Sequence, residues 1–299
     1  MKKLSRIVLR LRSLSGKSHY RRFVIVCTSR TGSNWLVDLL NSHSKVLAFG
    51  ELFRSKNAIG WDIPRFQNYQ NTRLIHLYRS DPIAFLDKQV FKKWPANYSA
   101  IGFKLFYFQA SESPYYMVWE YLRRNQDIAI LHIKRRNLLE QYVSLTLARE
   151  TGLWVKTGSS DQEPVPVQLK IESCQQHFIR VRNLELECAR FFNDHHVLDI
   201  HYEDLVRDLG PYCDYSAGRQ ANFGFEMQRV QNFLGLLPEQ VSSAMRRQKN
   251  APLSQMISNY DELRQAFADT GWSEFFDEET SSQQRTHLVK RGMATRVCR

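Results

Sequence analysis

The sequence has few of the features that assign a chain to a specialised structural class. Its five cysteines are widely spaced and never form a C-x-x-C pair, so neither a zinc site nor a disulfide framework is indicated. No apolar run is long enough for a signal peptide or a transmembrane helix, and there is no internal repeat. We therefore predict a globular protein of the reducing cytoplasm. The cysteines are Cys27, Cys174, Cys188, Cys213 and Cys298.

Positive charge is present in excess. Lysine and arginine total 42 against 30 aspartate and glutamate residues, which gives a net charge of +12. Such a balance favours an anionic partner, whether nucleic acid, a membrane surface or an acidic small molecule. The basic segments 1–21 and 277–299 are predicted to be an N-terminal extension and a tail, and they are compatible with peripheral contact with an anionic membrane.

Short apolar runs alternate with stretches of helical periodicity between these two ends. This alternation indicates the α/β class, with a central parallel sheet flanked by helices. The predicted domain covers residues 22–276. Strands are predicted at 22–27, 100–108, 127–135 and 195–205, and helices at 114–124, 137–149 and 168–192.

Three irregular stretches, at 54–98, 155–167 and 208–223, interrupt this scheme. The first is rich in aromatic and basic residues, and aromatic faces suit sugar rings, so it is predicted to be a lid over an acceptor. The alternative is an ordinary helical excursion with its own small core. Its aromatic residues are Trp61, Phe66, Tyr69, Tyr78, Trp94 and Tyr98.

A turn that can hold a phosphate follows the first predicted strand. Residues 28–33 lead into a helix, so backbone N–H groups and the positive end of the helix dipole form a cradle for an anion. The NTPase version of this turn has two glycines and a Lys-Ser/Thr pair. Here Gly32 is the only glycine, no lysine follows it, and a basic residue, Arg30, comes before it.

A second candidate anion site follows the strand predicted at 127–135. Arg136 comes at the carboxyl end of this strand, where α/β sheets bind ligands. Asn137 is predicted to cap the next helix, with Glu140 as its capping-box partner. Ser144 lies two turns into that helix. A cation at the strand end and a hydroxyl on the helix can hold one phosphate between them.

Taken together, the segments "CTSRTGSNWL" and "IKRRNLLEQYVSLTLARETGLW" make the chain resemble the PAPS-dependent sulfotransferases. The segments "LLNSHSKVLAFGELF" and "IGFKLF" are similar to bacterial carbohydrate sulfotransferases of the trehalose and nodulation-factor types. The resemblance covers about residues 22–270. It implies a P-loop-like sulfotransferase fold, PAPS as the sulfuryl donor without a required metal, and a carbohydrate or glycolipid hydroxyl as the acceptor.

The resemblance also implies roles for individual residues. Arg30 would stabilise the leaving phosphate, and Arg136 with Ser144 would bind the 3′-phosphate. The further donors implied for the 5′-phosphosulfate are Thr31, Gly32, Ser33 and Asn34. A tail motif, "VKRGM", resembles the 3′-phosphate ligands of cytosolic sulfotransferases, although its residue order differs.

The resemblance implies a glutamate as the general base. The cytosolic branch of the superfamily uses a histidine after a Lys-Thr pair, whereas "GFKLFYF" has Lys104 and no histidine. The carbohydrate enzymes use a glutamate after the loop helix, and Glu51 occupies that place. Lys104 is expected either to contact the sulfonate oxygens or to extend its ammonium towards solvent at the strand end.

Two other functional classes remain open from the residues alone. A P-loop kinase or NTPase would need a carboxylate for Mg²⁺, and Asp199 or Asp204 could supply it. A nucleic-acid-binding module would account for the positive charge and for the aromatic and basic stretch at 54–98. The basic residues are spread along the chain and match no recognised nucleic-acid motif, so the predicted partners exclude nucleic acid.

Overall fold

The computed structural model describes residues 19–63, 66, 69–154, 165–209, 224–243, 245 and 251–277. Apart from a few residues at their edges, the predicted basic extension, the basic tail and the irregular stretches at 155–167 and 208–223 lie outside the described residues. The "VKRGM" motif lies outside them as well. Within the described ranges, no helix combines the length and the apolar character needed to cross a membrane.

Two compact units divide the chain. The sheet unit comprises residues 1–134 and 184–244, and the helical unit comprises residues 135–183 and 245–299. The sheet unit contains five strands, all paired in parallel, in the order β2-β3-β1-β4-β5. This parallel sheet flanked by helices confirms the predicted α/β class. The strands are β1 Arg21–Cys27, β2 Val46–Glu51, β3 Ala100–Phe106, β4 Ala129–Lys134 and β5 Val197–His201.

The sheet differs from the predicted one at two places. The pattern analysis did not predict β2 as a strand, yet it pairs with β3 from Val46 opposite Ala100 onward. The strand predicted at 195–205 ends at His201, and a helix begins at Tyr202. Glu203 and Asp204 lie in the first turn of this helix, where acidic side chains are favoured by the helix dipole.

The helices predicted at 114–124, 137–149 and 168–192 are present, together with several that were not predicted. In the sheet unit they are α1 Ser33–Ser42, α2 Thr72–Ser80, α3 Pro82–Phe85, α4 Met117–Arg124, α7 Tyr202–Leu209 and α8 Phe225–Phe233, with a π-helical turn at Leu86–Val90. The helical unit contains α5 Leu138–Thr151, α9 Leu253–Met256, α10 Tyr260–Phe267 and a 3-10 turn at Ser273–Phe276. The boundary between the units falls within α6, Ile171–Phe191.

Each unit has its own apolar core. In the sheet unit, Phe23 and Ile25 enter one buried cluster, whereas Val24 and Val26 enter another. Because successive strand residues point to opposite faces, the sheet carries one cluster on each face. The helical unit is centred on Phe178, whose ring lies 5.1 Å from that of Phe275, centroid to centroid.

The aromatic residues of the 54–98 stretch contribute to the core of the sheet unit. Trp61 and Phe66 stack with their centroids 5.7 Å apart, and their cluster also contains Val24 and Val26. The rings that suggested sugar binding are thus used for packing, and they share the core of the sheet and do not form a separate core. The role of the stretch as an acceptor lid stays a prediction. The buried members are Trp61, Phe66, Tyr78 and Trp94, with Tyr69 and Tyr98 packed against them.

Candidate active site

The turn between β1 and α1 has an unusual backbone. Both Arg30, with φ of 64°, and Gly32, with φ of 78°, adopt the left-handed conformation. For a residue with a side chain this conformation costs about 1–3 kcal/mol, and such strain concentrates at functional sites. At Gly32 a Cβ atom would lie only 2.2 Å from the ring of Tyr202, so glycine is required there. Sequence reasoning did not assign Tyr202 to this turn.

The turn contains two kinds of polar group: side chains that stabilise the turn itself, and backbone N–H groups at the start of α1. The Thr31 hydroxyl donates to the Thr28 carbonyl over 3.0 Å, so it stabilises the turn itself. Burial raises the pKa of the Cys27 thiol to about 11, against smaller opposing effects of Lys104, Ser33 and Thr31. The N-cap of α1 is Gly32, which has no side chain to cap it, and the first helical turn has no acidic residue. The first backbone N–H groups of α1 therefore suit an anion.

Lys104 forms a buried ion pair beside this turn. The residue is 0% exposed, and its Nζ lies 2.9 Å from Oε1 of Glu51. The ammonium also donates to Oδ1 of Asn34, in the first turn of α1, and lies 4.9 Å from the centroid of the Phe106 ring. A buried ammonium requires such partners. Lys104 therefore does not extend to solvent.

A bulge in β2 brings Glu51 opposite Lys104. The register shifts between Phe49 and Glu51, so that Glu51 aligns with Lys104 of β3. Bulges commonly redirect side chains next to functional sites. Asp62 holds the bulge, since its Oδ2 accepts from the backbone N–H of Glu51 at 3.1 Å and would lie 2.2 Å from a Cβ at Gly50. Asp62 itself adopts a left-handed backbone, with φ of 49°.

The second oxygen of Glu51 is held by Gln109. The Gln109 Nε2 donates to Oε2 of Glu51 over 2.9 Å, and its own Oε1 accepts from the backbone N–H of Phe106 over 3.0 Å. Gln109 is buried, and the Glu51 side chain is 13% exposed. Both carboxylate oxygens are thus fixed. Sequence reasoning missed Gln109 and Asp62, although a glutamine directly after a buried strand was an available signal for Gln109.

A second charge cluster, more exposed than the first, lies on β4 and β5. Oδ1 of Asp199 lies 2.8 Å from Lys134 Nζ and 3.1 Å from His132 Nδ1. The adjacent His132 imidazole, together with Lys134, holds the pKa of Asp199 well below its usual range. The hydroxyl of Tyr107 lies 2.6 Å from His132 Nε2, and burial raises the pKa of Tyr107 far above its ordinary value. Asp199, one of the two carboxylates considered for Mg²⁺ in the NTPase alternative, is thus already engaged by two basic groups.

The other predicted anion site belongs to the helical unit. Asn137 caps α5 as predicted, accepting from the Glu140 N–H over 2.9 Å. The Glu140 carboxylate, predicted as a capping-box partner, lies 2.6 Å from Arg135 in an ion pair. Arg136 is exposed and Ser144 is half-buried on α5. The assignment of these two residues to one phosphate stays a prediction.

The sequence was compared with known proteins. The model of the sulfotransferase family matches residues 22–211, a stretch that contains every predicted site residue. Nodulation protein H of Rhizobium tropici is 29% identical over 262 residues, which cover 87% of this chain and 94% of that protein. Nodulation protein H of Rhizobium meliloti (strain 1021) is 29% identical over 258 residues, covering 85% and 94%. A crystal structure of a sulfotransferase from Alicyclobacillus acidocaldarius aligns with a TM-score of 0.41 and 16% identity, covering 85% and 94%.

Proposed function

Because the chain belongs to the sulfotransferase family, we propose that it transfers a sulfuryl group from PAPS to a hydroxyl of a carbohydrate or glycolipid. The observation that carries this proposal is the buried Lys104–Glu51 pair, which Asn34 joins to the anion-binding turn. The acceptor class is supported by the resemblance to carbohydrate sulfotransferases and by the similarity to the two nodulation proteins.

The chemistry sets two requirements on the site. The acceptor oxygen forms a new bond to sulfur while the bond between sulfur and the bridging phosphate oxygen breaks, releasing adenosine 3′,5′-bisphosphate. The acceptor proton must be removed, and the negative charge that grows on the bridging oxygen must be stabilised. A general base and a cation are therefore needed on opposite sides of the sulfonate.

Glu51 meets the first requirement as the general base. Its carboxylate is nearly buried and is fixed by Lys104 and Gln109, so it can receive the acceptor proton from a defined direction. When Glu51 takes the proton, its pair with Lys104 changes from neutral to a net positive charge. The positive charge of Lys104 is then no longer balanced by Glu51 and can stabilise the sulfonate oxygens while negative charge develops on the leaving phosphate.

Arg30 meets the second requirement. It precedes the glycine of the turn and supplies the positive charge that a lysine and Mg²⁺ provide in NTPases. Gly32 allows close approach of the phosphate, and the backbone N–H groups at the start of α1 supply further donors, with Thr31, Ser33 and Asn34. Arg136 and Ser144 are the proposed ligands of the 3′-phosphate. The chain thus has residues of the types that two separate phosphates require.

Transfer of sulfur-35 from labelled PAPS tests the reaction directly. The labelled donor is incubated with a panel of free glycans and extracted glycolipids, and we expect label in at least one sugar fraction. Absence of label from every sugar would contradict the acceptor class. Tight binding of Mg-ATP in place of adenosine 3′,5′-bisphosphate would instead favour the NTPase alternative.

Calorimetry tests the second anion site. We expect Arg136→Ala to weaken the binding of adenosine 3′,5′-bisphosphate about tenfold to a hundredfold, because an arginine–phosphate contact is lost. The control is Arg123→Ala, which removes an exposed arginine that pairs with Glu120 on α4. Unchanged affinity in Arg136→Ala would remove this residue from the donor site.

A further inference from the structure

Phe108 is an exposed aromatic residue just beyond β3. It is 51% exposed, although neighbouring residues of the same segment contact the Lys104–Glu51 pair. Single exposed apolar side chains are common at protein surfaces, so exposure alone has little weight. The informative observation is the position of Phe108 between two residues that both contact this pair.

The first of these neighbours is Phe106. Its ring is buried, lies 4.9 Å from the Lys104 ammonium and contacts the Phe108 ring with centroids 5.4 Å apart. The second is Gln109, whose amide donates to Glu51 and accepts from the backbone of Phe106. These contacts hold the segment from 106 to 109 against the pair, and Phe108 is the member of the segment that is more than half exposed.

We propose that the exposed face of Phe108 is the stacking platform of an acceptor subsite, and that it takes the apolar C–H face of a sugar ring. This inference rests on the proposed carbohydrate acceptor. Sugars combine polar hydroxyl edges with an apolar face, so their sites pair an aromatic ring with nearby hydrogen-bonding groups. Here Phe108 supplies the ring, and Glu51 with Gln109 supplies the polar groups.

The location of this platform differs from the one the sequence suggested. The tryptophans of the 54–98 stretch, Trp61 and Trp94, are buried in the core and their faces contact other aromatic rings. Phe108 keeps a face in solvent and is linked to the Lys104–Glu51 pair through Phe106. We therefore expect Phe108 to affect how well an acceptor binds. We do not expect it to take part in the transfer step itself.

Steady-state kinetics with labelled PAPS and two sugars, trehalose and methyl β-N-acetylglucosaminide, test the proposal. For the sugar that accepts label, Phe108→Ala should raise the acceptor KM about tenfold while kcat and the KM for PAPS stay within about twofold, as expected for lost uniform binding. Phe108→Tyr should restore the KM. The matched control is Phe225→Ala, since Phe225 is 72% exposed at the start of α8 and should leave all constants unchanged.

The possible results separate this inference from the proposed function. An unchanged acceptor KM in Phe108→Ala, with transfer intact in the wild-type protein, overturns the platform and leaves the carbohydrate acceptor in place. An equal rise in the KM for PAPS also overturns it, because the effect would then not be specific to the acceptor. Failure of the wild-type protein to label these two sugars and every other sugar of the panel, while it still binds adenosine 3′,5′-bisphosphate, contradicts the carbohydrate acceptor and the platform together.

Discussion

Two charge clusters at the carboxyl ends of strands in the same sheet differ in how their carboxylates are surrounded. In the first, Glu51 is 13% exposed and is held by Lys104 and the amide of Gln109. In the second, Asp199 is 53% exposed and lies against both Lys134 and His132. The first cluster is joined through Asn34 to the start of α1, at the turn proposed to bind the donor phosphate.

The difference bears on which carboxylate is the better candidate for a general base. Lys134 and His132 hold the pKa of Asp199 well below its usual range, so Asp199 is a poor base at neutral pH. Its place is in a network that ties β4 to β5. Glu51, the proposed general base, is shielded from water, and both of its oxygens are held beside the turn. The two clusters are therefore expected to respond differently to the same kinds of substitution.

The largest expected difference concerns stability. Lys104→Met leaves Glu51 buried without its cation, and we expect a loss of about 3–5 kcal/mol in the free energy of unfolding. Lys134→Met leaves the more exposed Asp199 with His132, and the expected loss is about 1 kcal/mol or less. Urea unfolding followed by circular dichroism measures both.

A double variant sharpens this test. Because removal of both partners abolishes the uncompensated buried charge, Lys104→Met combined with Glu51→Leu should recover most of the stability but no transfer activity. Equal losses in the free energy of unfolding in Lys104→Met and Lys134→Met would contradict the proposed difference between the clusters.

The next effect is a dependence of stability on pH. The pKa of Asp199 is lower in the folded chain than its ordinary value of 3.8, so the ionised carboxylate stabilises the fold above about pH 4. This contribution is lost as the pH falls through the lowered folded-state pKa. Urea midpoints of the wild-type protein and Asp199→Asn should therefore differ most near pH 6, and the difference should shrink progressively as the pH falls below about 4. A difference in urea midpoint that does not change with pH over this range would count against the pairing of Asp199 with Lys134 and His132.

The smallest effect concerns the positioning of Glu51. Gln109→Leu removes one hydrogen bond to the carboxylate, and we expect kcat to fall about fivefold with little change in the KM for PAPS. Gln89→Leu serves as the control, because Gln89 bonds to Tyr69 within the 54–98 stretch. A fall in stability without a fall in kcat would give Gln109 a structural role alone.

Much of the fold followed from local patterns. The alternation of apolar runs and helical periodicity predicts the parallel sheet, and Asn137 was identified as a cap because capping depends on adjacent residues. Strand β2 was missed because its four apolar residues follow α1 after only three residues and look like a continuation of a helix. What makes them a strand is the pairing with β3, more than fifty residues later in the chain.

The candidate site was predictable only where a family pattern exists. Glu51 and Lys104 were named from that pattern, but their contact depends on a bulge and on Asp62, which tertiary structure alone brings together. The aromatic residues of 54–98 were assigned to sugar binding because composition does not distinguish a buried ring from an exposed one. Phe108, which is exposed and contacts Phe106 beside the Lys104–Glu51 pair, was not identified for the same reason.

The most direct test of the assignment is the single-turnover rate of sulfuryl transfer in Glu51→Gln and Asp199→Asn, measured by rapid quench with labelled PAPS. Binding of adenosine 3′,5′-bisphosphate to each variant shows that the donor site is intact. We predict that Glu51→Gln slows transfer by about 10²- to 10⁴-fold, as for loss of a general base, and that Asp199→Asn slows it less than about threefold. A wild-type rate in Glu51→Gln, or an equal loss in Asp199→Asn, would contradict the account.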